Sequence, residues 1–357
     1  LVISASKIFF PFCAAPSFAD NPSTKKMPNS KTFAVGAILI LSCIAPALSQ
    51  DQPTTPSIAK PGVKQAQSPL AELKPIATFD LGGDPDWLAI SDNAVWVTND
   101  KLKSVQRIDP FANKLVAKIE FPSEPCSGLT FAFKSLWVPL CGKPATLARV
   151  DPTTNKISAT LPVGPADSEG GITASEDSIW LIADENGTLL RIDPATNTVR
   201  AKIAIPPGSF NPLYSQGTVW ITGSKSNVLT PVDARTNEVQ SSIQVGPQPR
   251  FLAAGAGSIW TLNQGDGSIT RIDPKTRRAI ATIQAGIPGH GGEICFGAGS
   301  LWATVIDIPL SQISPASNKV VRQYTGPGGD SVRLGFYSLW LTHLRSGLLW
   351  RFTARKQ

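Results

Sequence analysis

Three observations predict an all-β fold, a seven-bladed β-propeller. The first is a row of tryptophans. Trp96, Trp137, Trp180, Trp220, Trp260, Trp302 and Trp340 follow one another at gaps of 41, 43, 40, 40, 42 and 38 residues. A period near forty residues marks a repeat architecture, and that length holds the four short strands of one blade. The second is a recurring turn. Asp109, Asp151, Asp193, Asp233 and Asp273 each follow Ile or Val and precede Pro or Ala. Asn113, Asn155, Asn197 and Asn237 come four residues after their Asp, and Asn318 follows Ser314, which stands for Asp in the sixth copy. Asp accepts from backbone N–H groups, Pro pre-sets φ, and Asn tolerates the left-handed region, so the motif is turn chemistry between strands. The third observation concerns the two ends of the repeat. The stretch 76–81 matches the fourth strand of the repeats but lacks three strands before it, and the copy holding Trp340 stops without a fourth strand. The N-terminal strand is therefore expected to complete the last blade, close the ring and remove an exposed edge.

In chain order, 1–26 precede the single methionine, Met27, and read as upstream sequence outside the translated protein. Residues 27–49 read as a signal peptide: Lys31, the apolar run 33–41, then Ala45, Ala47 and Ser49 before the expected cleavage. The run is too short to span a bilayer. Cys43 ends an Ile-Leu-Ser-Cys stretch that resembles a lipoprotein box; it is either a lipidation site or part of the removed leader. Residues 50–73, rich in Pro, Gln, Thr, Ser and Ala without apolar period, read as a disordered linker, and 74–357 as the propeller. Blades three and five keep the repeat. Blade four has Pro231 in place of the usual Arg, and blade six has Gln312-Ile313-Ser314-Pro315 in place of Arg-Ile-Asp-Pro.

The motifs Ser-x-Trp (Ser258–Trp260), Arg-Ile-Asp-Pro-x-Thr-Asn (from Arg191) and Ala-Thr-Ile (Ala281–Ile283) resemble the YVTN-type β-propeller repeats of secreted bacterial proteins. They are also similar to the virginiamycin B lyase (streptogramin lyase) superfamily, over about residues 74–354. That resemblance implies a catalytic His ten residues before a blade Trp and a Glu four residues after it. Here the first positions hold Asp86, Ser127, Gly170, Phe210, Arg250, Gly292 and Asp330. The second hold Asp100, Cys141, Asp184, Ser224, Gln264, Ile306 and Leu344, so no blade carries the pair.

Two functions remain open on the sequence. One is an exported binding scaffold using the loops that lead into the inner strands, with Asp84, Asp86, Trp87, Glu169, Phe210, Arg250, Asp330 and Arg333 as ligand-binding candidates. These loops differ between blades while the strands repeat, as expected for a site grafted on a scaffold. The other is a lyase-like enzyme with His290 as general base and Glu293 as its catalytic carboxylate; only there is a cofactor expected, Mg²⁺ or Ca²⁺ at Asp86, Glu293 or Asp330. No residue spacing supplies a metal-binding motif. His343 is the other of the two histidines. The partner is an unidentified small molecule or envelope protein, the mature chain a periplasmic or secreted monomer without a transmembrane span. Net charge is +7, of which +3 lies within 1–49, and no basic motif interleaved with aromatics points to nucleic acid. Around a turn near Lys134-Ser135, paired positions sum to about 268 and Cys126 with Cys141 to 267, which places the two opposite one another and predicts a disulfide. Cys295 is expected to stay a buried free thiol.

Overall fold

Each repeat folds into one antiparallel sheet of four strands, a to d from the axis outward. In the computed structural model, which describes residues 60–166 and 169–354, seven such sheets form a ring. The expected upstream segment 1–26, signal peptide 27–49 and Cys43 lie outside the described residues. Blade 5 shows the pattern in full, with strands Pro249–Gly255, Ser258–Asn263, Ser268–Asp273 and Arg278–Gln284. Blades 1 to 4 occupy 85–120, 130–161, 172–204 and 209–244, and blade 6 occupies 294–325. Blade 7 takes three strands from 332–353, and its d strand is Ala77–Asp80, paired antiparallel with Leu348–Thr353. The first and last strands of the propeller thus close the ring, with Phe79 and Leu81 buried in the join.

Strand b of each blade is sandwiched between two neighbouring sheets, so both of its faces are apolar: Ser258–Asn263 is buried at every position. Six of the seven repeat tryptophans are at most 1% exposed. The turns between strands c and d work as their chemistry demands. Asp109 Oδ1 accepts from the N–H groups of Phe111 (2.8 Å) and Ala112 (2.9 Å), and such bonds hold the Asp109, Asp233 and Asp273 carboxyls below their ordinary range. Asn113, Asn155, Asn197, Asn237 and Asn318 all adopt positive φ, between 52° and 64°.

A cationic staple joins most blades. Arg107, Arg149, Arg191, Arg271 and Arg351 each lie over their own blade's tryptophan, 4.7–5.1 Å from the ring centroid. Each guanidinium also reaches the c–d turn of the next blade. Arg271 donates to Pro315 O (2.8 Å) and Asn318 Oδ1 (2.9 Å), and Arg351 crosses the ring closure to Asn113 (2.6 Å). The same Asn side chain that terminates a strand therefore receives the neighbour's charge.

The disordered linker expected over 50–73 is corrected from Lys60 onward. Gly62 N donates to Gly286 O (2.9 Å) and Val63 N to Gln323 Oε1 (2.7 Å). Gln67–Pro69 then runs parallel to the outer strand of blade 6, pairing with Gln323–Thr325. An outer strand presents a row of unpaired backbone groups, and the segment's backbone satisfies them without needing apolar side chains. Composition could not disclose that pairing.

Candidate functional site

The loops leading into the a strands surround one mouth of the ring. Alternation along each a strand sends one side chain into the axial channel and the next to the rim or into the sheet. A small cavity of about 80 Å³ remains in the channel, lined among others by Trp87, Ile172, Asn211, Phe251, Glu293 and Arg333. Trp87 was expected to offer its ring to a ligand from a loop; alternation turns it instead into the channel wall. It is 4% exposed, edge-on to Phe251 at 5.6 Å, and its indole N–H has no partner among the described residues. Glu293 and Arg333 form an ion pair in the same channel, and Glu293 also accepts from Val332 N (3.2 Å). Burial pushes the Glu293 carboxyl upward while Arg333 opposes that shift.

Above the channel, blades 1 and 7 bring Asp86 and Asp330 together. Asp330 accepts from Gly292 N (2.5 Å), and the two carboxyls are hydrogen-bonded to each other. Burial and then the neighbouring Asp330 charge drive Asp86 well above its ordinary value, and burial raises Asp330 as well. Asp100 was not among the sequence candidates. Burial raises it to about 7, with Glu124, Asp84, Asp330 and Glu169 adding to the shift. Asp84 is thus a rim charge acting on Asp100.

Across the mouth, blades 4 and 5 build a different surface. A pocket of about 580 Å³ is lined by Phe210, Lys225, Gln248, Arg250, Glu185 and His290, among others. The Arg250 guanidinium lies 4.2 Å from the Phe210 ring centroid and pairs with Glu169 at 2.7 Å. Ion pair and ring together fix a planar cation at the pocket wall, with Lys225 and the exposed His290 beside it. Four of the predicted residues, Glu169, Phe210, Arg250 and His290, therefore converge. Glu293, just before the a strand Ile294–Gly297, lines the channel cavity and pairs with Arg333, while the exposed His290 lines the pocket between blades 4 and 5. His343 is buried against Trp350 in blade 7, with ring centroids 5.0 Å apart.

The sequence held an unused signal for this mouth. Thr follows two residues after the tryptophan in blades 1, 4, 6 and 7: Thr98, Thr222, Thr304 and Thr342. Each hydroxyl accepts a backbone N–H at the start of its blade's a strand, from Trp87 (2.9 Å), Asn211 (3.1 Å), Glu293 (2.7 Å) and Ser331 (2.8 Å). These bonds set where the functional loops begin. Blade 2 uses a disulfide, Cys126–Cys141, with a Cα–Cα distance of 5.8 Å. Its a–b hairpin pairs Thr130 with Trp137 and Ala132 with Ser135, and beyond it Cys141 N donates to Glu124 O (3.0 Å), which brings Cys141 beside Cys126. Glu169 N donates to Cys126 O (2.8 Å), so the bridge also supports the loop that presents Glu169 to Arg250. Cys295 is a buried free thiol that burial pushes up to about 12.

Comparison with known proteins places this geometry in context. The ring is similar to those of the streptogramin lyases. Virginiamycin B lyase from Staphylococcus aureus superposes with a TM-score of 0.66 at 16% identity, covering 78% of this chain and 98% of that one. A streptogramin B lyase gives 0.64 at 16% identity, over 77% and 96%. BamB from Moraxella catarrhalis gives 0.58 at 10% identity, over 83% and 98%. At these identities the likeness is one of fold. No family model and no curated protein matches the sequence. Among the described residues, no helix is long and apolar enough to cross a membrane.

Proposed function

We propose that the protein is an exported propeller that binds a small molecule or an envelope protein on its mouth face. The observation that carries this reading is the pocket between blades 4 and 5, where Arg250 is already held by Glu169 and Phe210. A guanidinium fixed before the ligand arrives loses little side-chain entropy on binding, which favours recognition. A concave, partly apolar pocket with a few convergent polar groups is the usual form of a ligand site. The other half of the mouth, Asp84, Asp86, Asp100 and Asp330, supplies carboxyl groups that would hydrogen-bond the far end of a polar ligand. Export rests on the leader-like segment 27–49, and the monomeric state on the ring being closed on itself.

The alternative is a lyase-like enzyme with His290 as base. The lyase fold neighbours and the hydrogen-bonded Asp86–Asp330 carboxyl pair favour it; the separation of His290 from Glu293 counts against it. Asp86, Asp330 and Glu293 do not fit a divalent cation well. Asp86 and Asp330 are hydrogen-bonded to each other, Asp330 accepts from Gly292, and Glu293 is engaged by Arg333.

The test is a thermal-shift and calorimetric screen of the propeller against peptides, sugars, amino acids and cyclic depsipeptide lactones. Any hit is then measured on Arg250→Ala, Phe210→Ala and His290→Ala, with mass spectrometry of the ligand after incubation. Binding lost in the first two variants, with the ligand intact, supports the binding reading. A ligand converted by the wild type but not by His290→Ala supports the enzyme. A hit that binds all three variants as tightly as the wild type overturns this pocket as the site.

A further inference from the structure

Five of the seven seams between blades carry the arginine staple, and two do not. The pattern is reciprocal. Where a blade offers Asn at its c–d turn (Asn113, Asn155, Asn197, Asn237, Asn318), the preceding blade supplies Arg. Blade 5 has Arg277 at the Asn position, and blade 4 before it has Pro231. Blade 6 has Gln312, and among the described residues blade 7 presents no such turn after Thr353.

The two unstapled seams differ in how they are filled. At blade 4, Trp220 is still only 1% exposed, covered by neighbours that include Leu252 and Val245. At blade 6 the side chain is cut short. Gln312 Nε2 donates to Ser300 Oγ at 2.9 Å, as Arg271 Nε donates to Ser258 and Arg351 Nε to Ser338, but it ends there. Among the described residues no guanidinium lies over Trp302, which is 7% exposed. A cavity of about 590 Å³ opens at this place between blades 6 and 7, with Trp302, Leu310, Leu339 and Phe352 in its walls.

The charge has moved rather than vanished. In all five stapled blades the cross-strand neighbour of the arginine on strand d is alanine: Ala117, Ala159, Ala201, Ala281 and Ala77. In blade 6 the pair is inverted to Gln312 and Arg322. Arg322 is exposed, lines the cavity and takes part in none of the seven ion pairs among the described residues. Lys74 stands on the same rim, against one acid, Glu72.

We propose that this seam is a binding site for an aryl carboxylate or sulfonate. The planar ring takes the place that a guanidinium occupies in the other seams, stacked on Trp302 against Leu310, Leu339 and Phe352. The acid group meets Arg322, with Lys74 beside it. The site lies on the flank of the ring. The tryptophans sit near the a–b hairpins, at the end opposite the mouth, so this site is separate from the Arg250 pocket.

The experiment titrates 1-anilinonaphthalene-8-sulfonate into the full chain and follows its fluorescence, alongside the neutral N-phenyl-1-naphthylamine. The wild type should bind the sulfonate saturably at one site. Gln312→Arg rebuilds the missing staple head and should abolish binding while leaving the melting temperature equal or higher. Arg322→Gln should weaken the sulfonate about tenfold, the effect of losing one charged hydrogen bond, and leave the neutral probe unchanged. Arg250→Ala, at the mouth, should bind as the wild type does. If Gln312→Arg does not fold, Arg322→Gln decides, because Arg322 is exposed. Unchanged sulfonate binding in both variants, no saturable binding by the wild type, or equal affinity for the neutral probe would overturn the proposal.

Discussion

Seam 5/6 and seam 6/7 are built on the same strand pattern and end in opposite states. In the first, Arg271 covers Trp260 and ties itself to Asn318 and Pro315; in the second, Gln312 stops short and leaves Trp302 facing a cavity. The differences are a Gln in place of the arginine, Arg322 in place of its cross-strand alanine, and the lack of a facing turn among the described residues of blade 7. It teaches that the blade itself is fixed by strands and turns, while the space between blades is set by whichever groups reach across. A repeat that lapses in one seam keeps its fold and gains a hollow.

The largest test removes a strand rather than a staple. Deleting the chain through Leu81 strips blade 7 of its outer strand and unburies Phe79 and Leu81. At ~1.5–3 kcal/mol for each side chain this should cost roughly 3–6 kcal/mol, a large part of a domain's stability, and lower the melting temperature steeply or cause aggregation. Deletion only through Pro69 removes the parallel strand on blade 6, which buries little, and should cost far less. Equal melting temperatures for the two truncations would show that ring closure is not what the outer strand of blade 7 provides.

Seam 2/3 is stapled at one end by Arg149 and supported at the mouth by Cys126–Cys141, 15 residues apart in sequence. Replacing both cysteines with serine should destabilise by roughly 3 kcal/mol on the chain-entropy model. Urea denaturation measures it, and mass spectrometry of unreduced, proteolysed protein should show the two peptides linked.

The staples come next. Arg271→Ala removes a cation over Trp260 and orphans the acceptors on blade 6; a loss of about 2 kcal/mol is expected. Gln312→Ala should cost under about 1 kcal/mol, since only the bond to Ser300 goes. Denaturation midpoints that shift equally would erase the contrast between the two seams.

A pH test concerns seam 7/1, stapled by Arg351 at one face and crowded with carboxyls at the other. Asp100 is raised from 3.8 to about 7 in the folded protein, so between these values the folded state keeps a proton that the unfolded chain has released. Stability contributed by that proton falls as pH rises through this window. Melting temperature should therefore decline from pH 4.5 to 7.5, and Asp100→Asn should flatten the decline. A slope unchanged in the variant would show that Asp100 is not responsible.

The sequence by itself determined the seven blades, their turns and the closing strand. Each depends on a period that one repeat already contains: a Trp in a two-faced apolar strand, Asp with Asn at a fixed spacing, an orphan strand at one end and a missing one at the other. The Cys126–Cys141 proximity was readable because both cysteines flank one hairpin. The mouth was legible only as a set of loops that break the repeat. Trp87 entered that set although alternation sends it inward, and Asp100 escaped it although its position after Trp96 was in view. What the tertiary structure decided lies between blades. Asp86 meets Asp330, Glu293 meets Arg333, Arg250 lies on Phe210, and Gln67–Pro69 lies on blade 6, because closing the ring apposes segments that the repeat pattern treats separately. Partners across a seam follow from how sheets stack, and neither the period of a strand nor the chemistry of a turn encodes that distance.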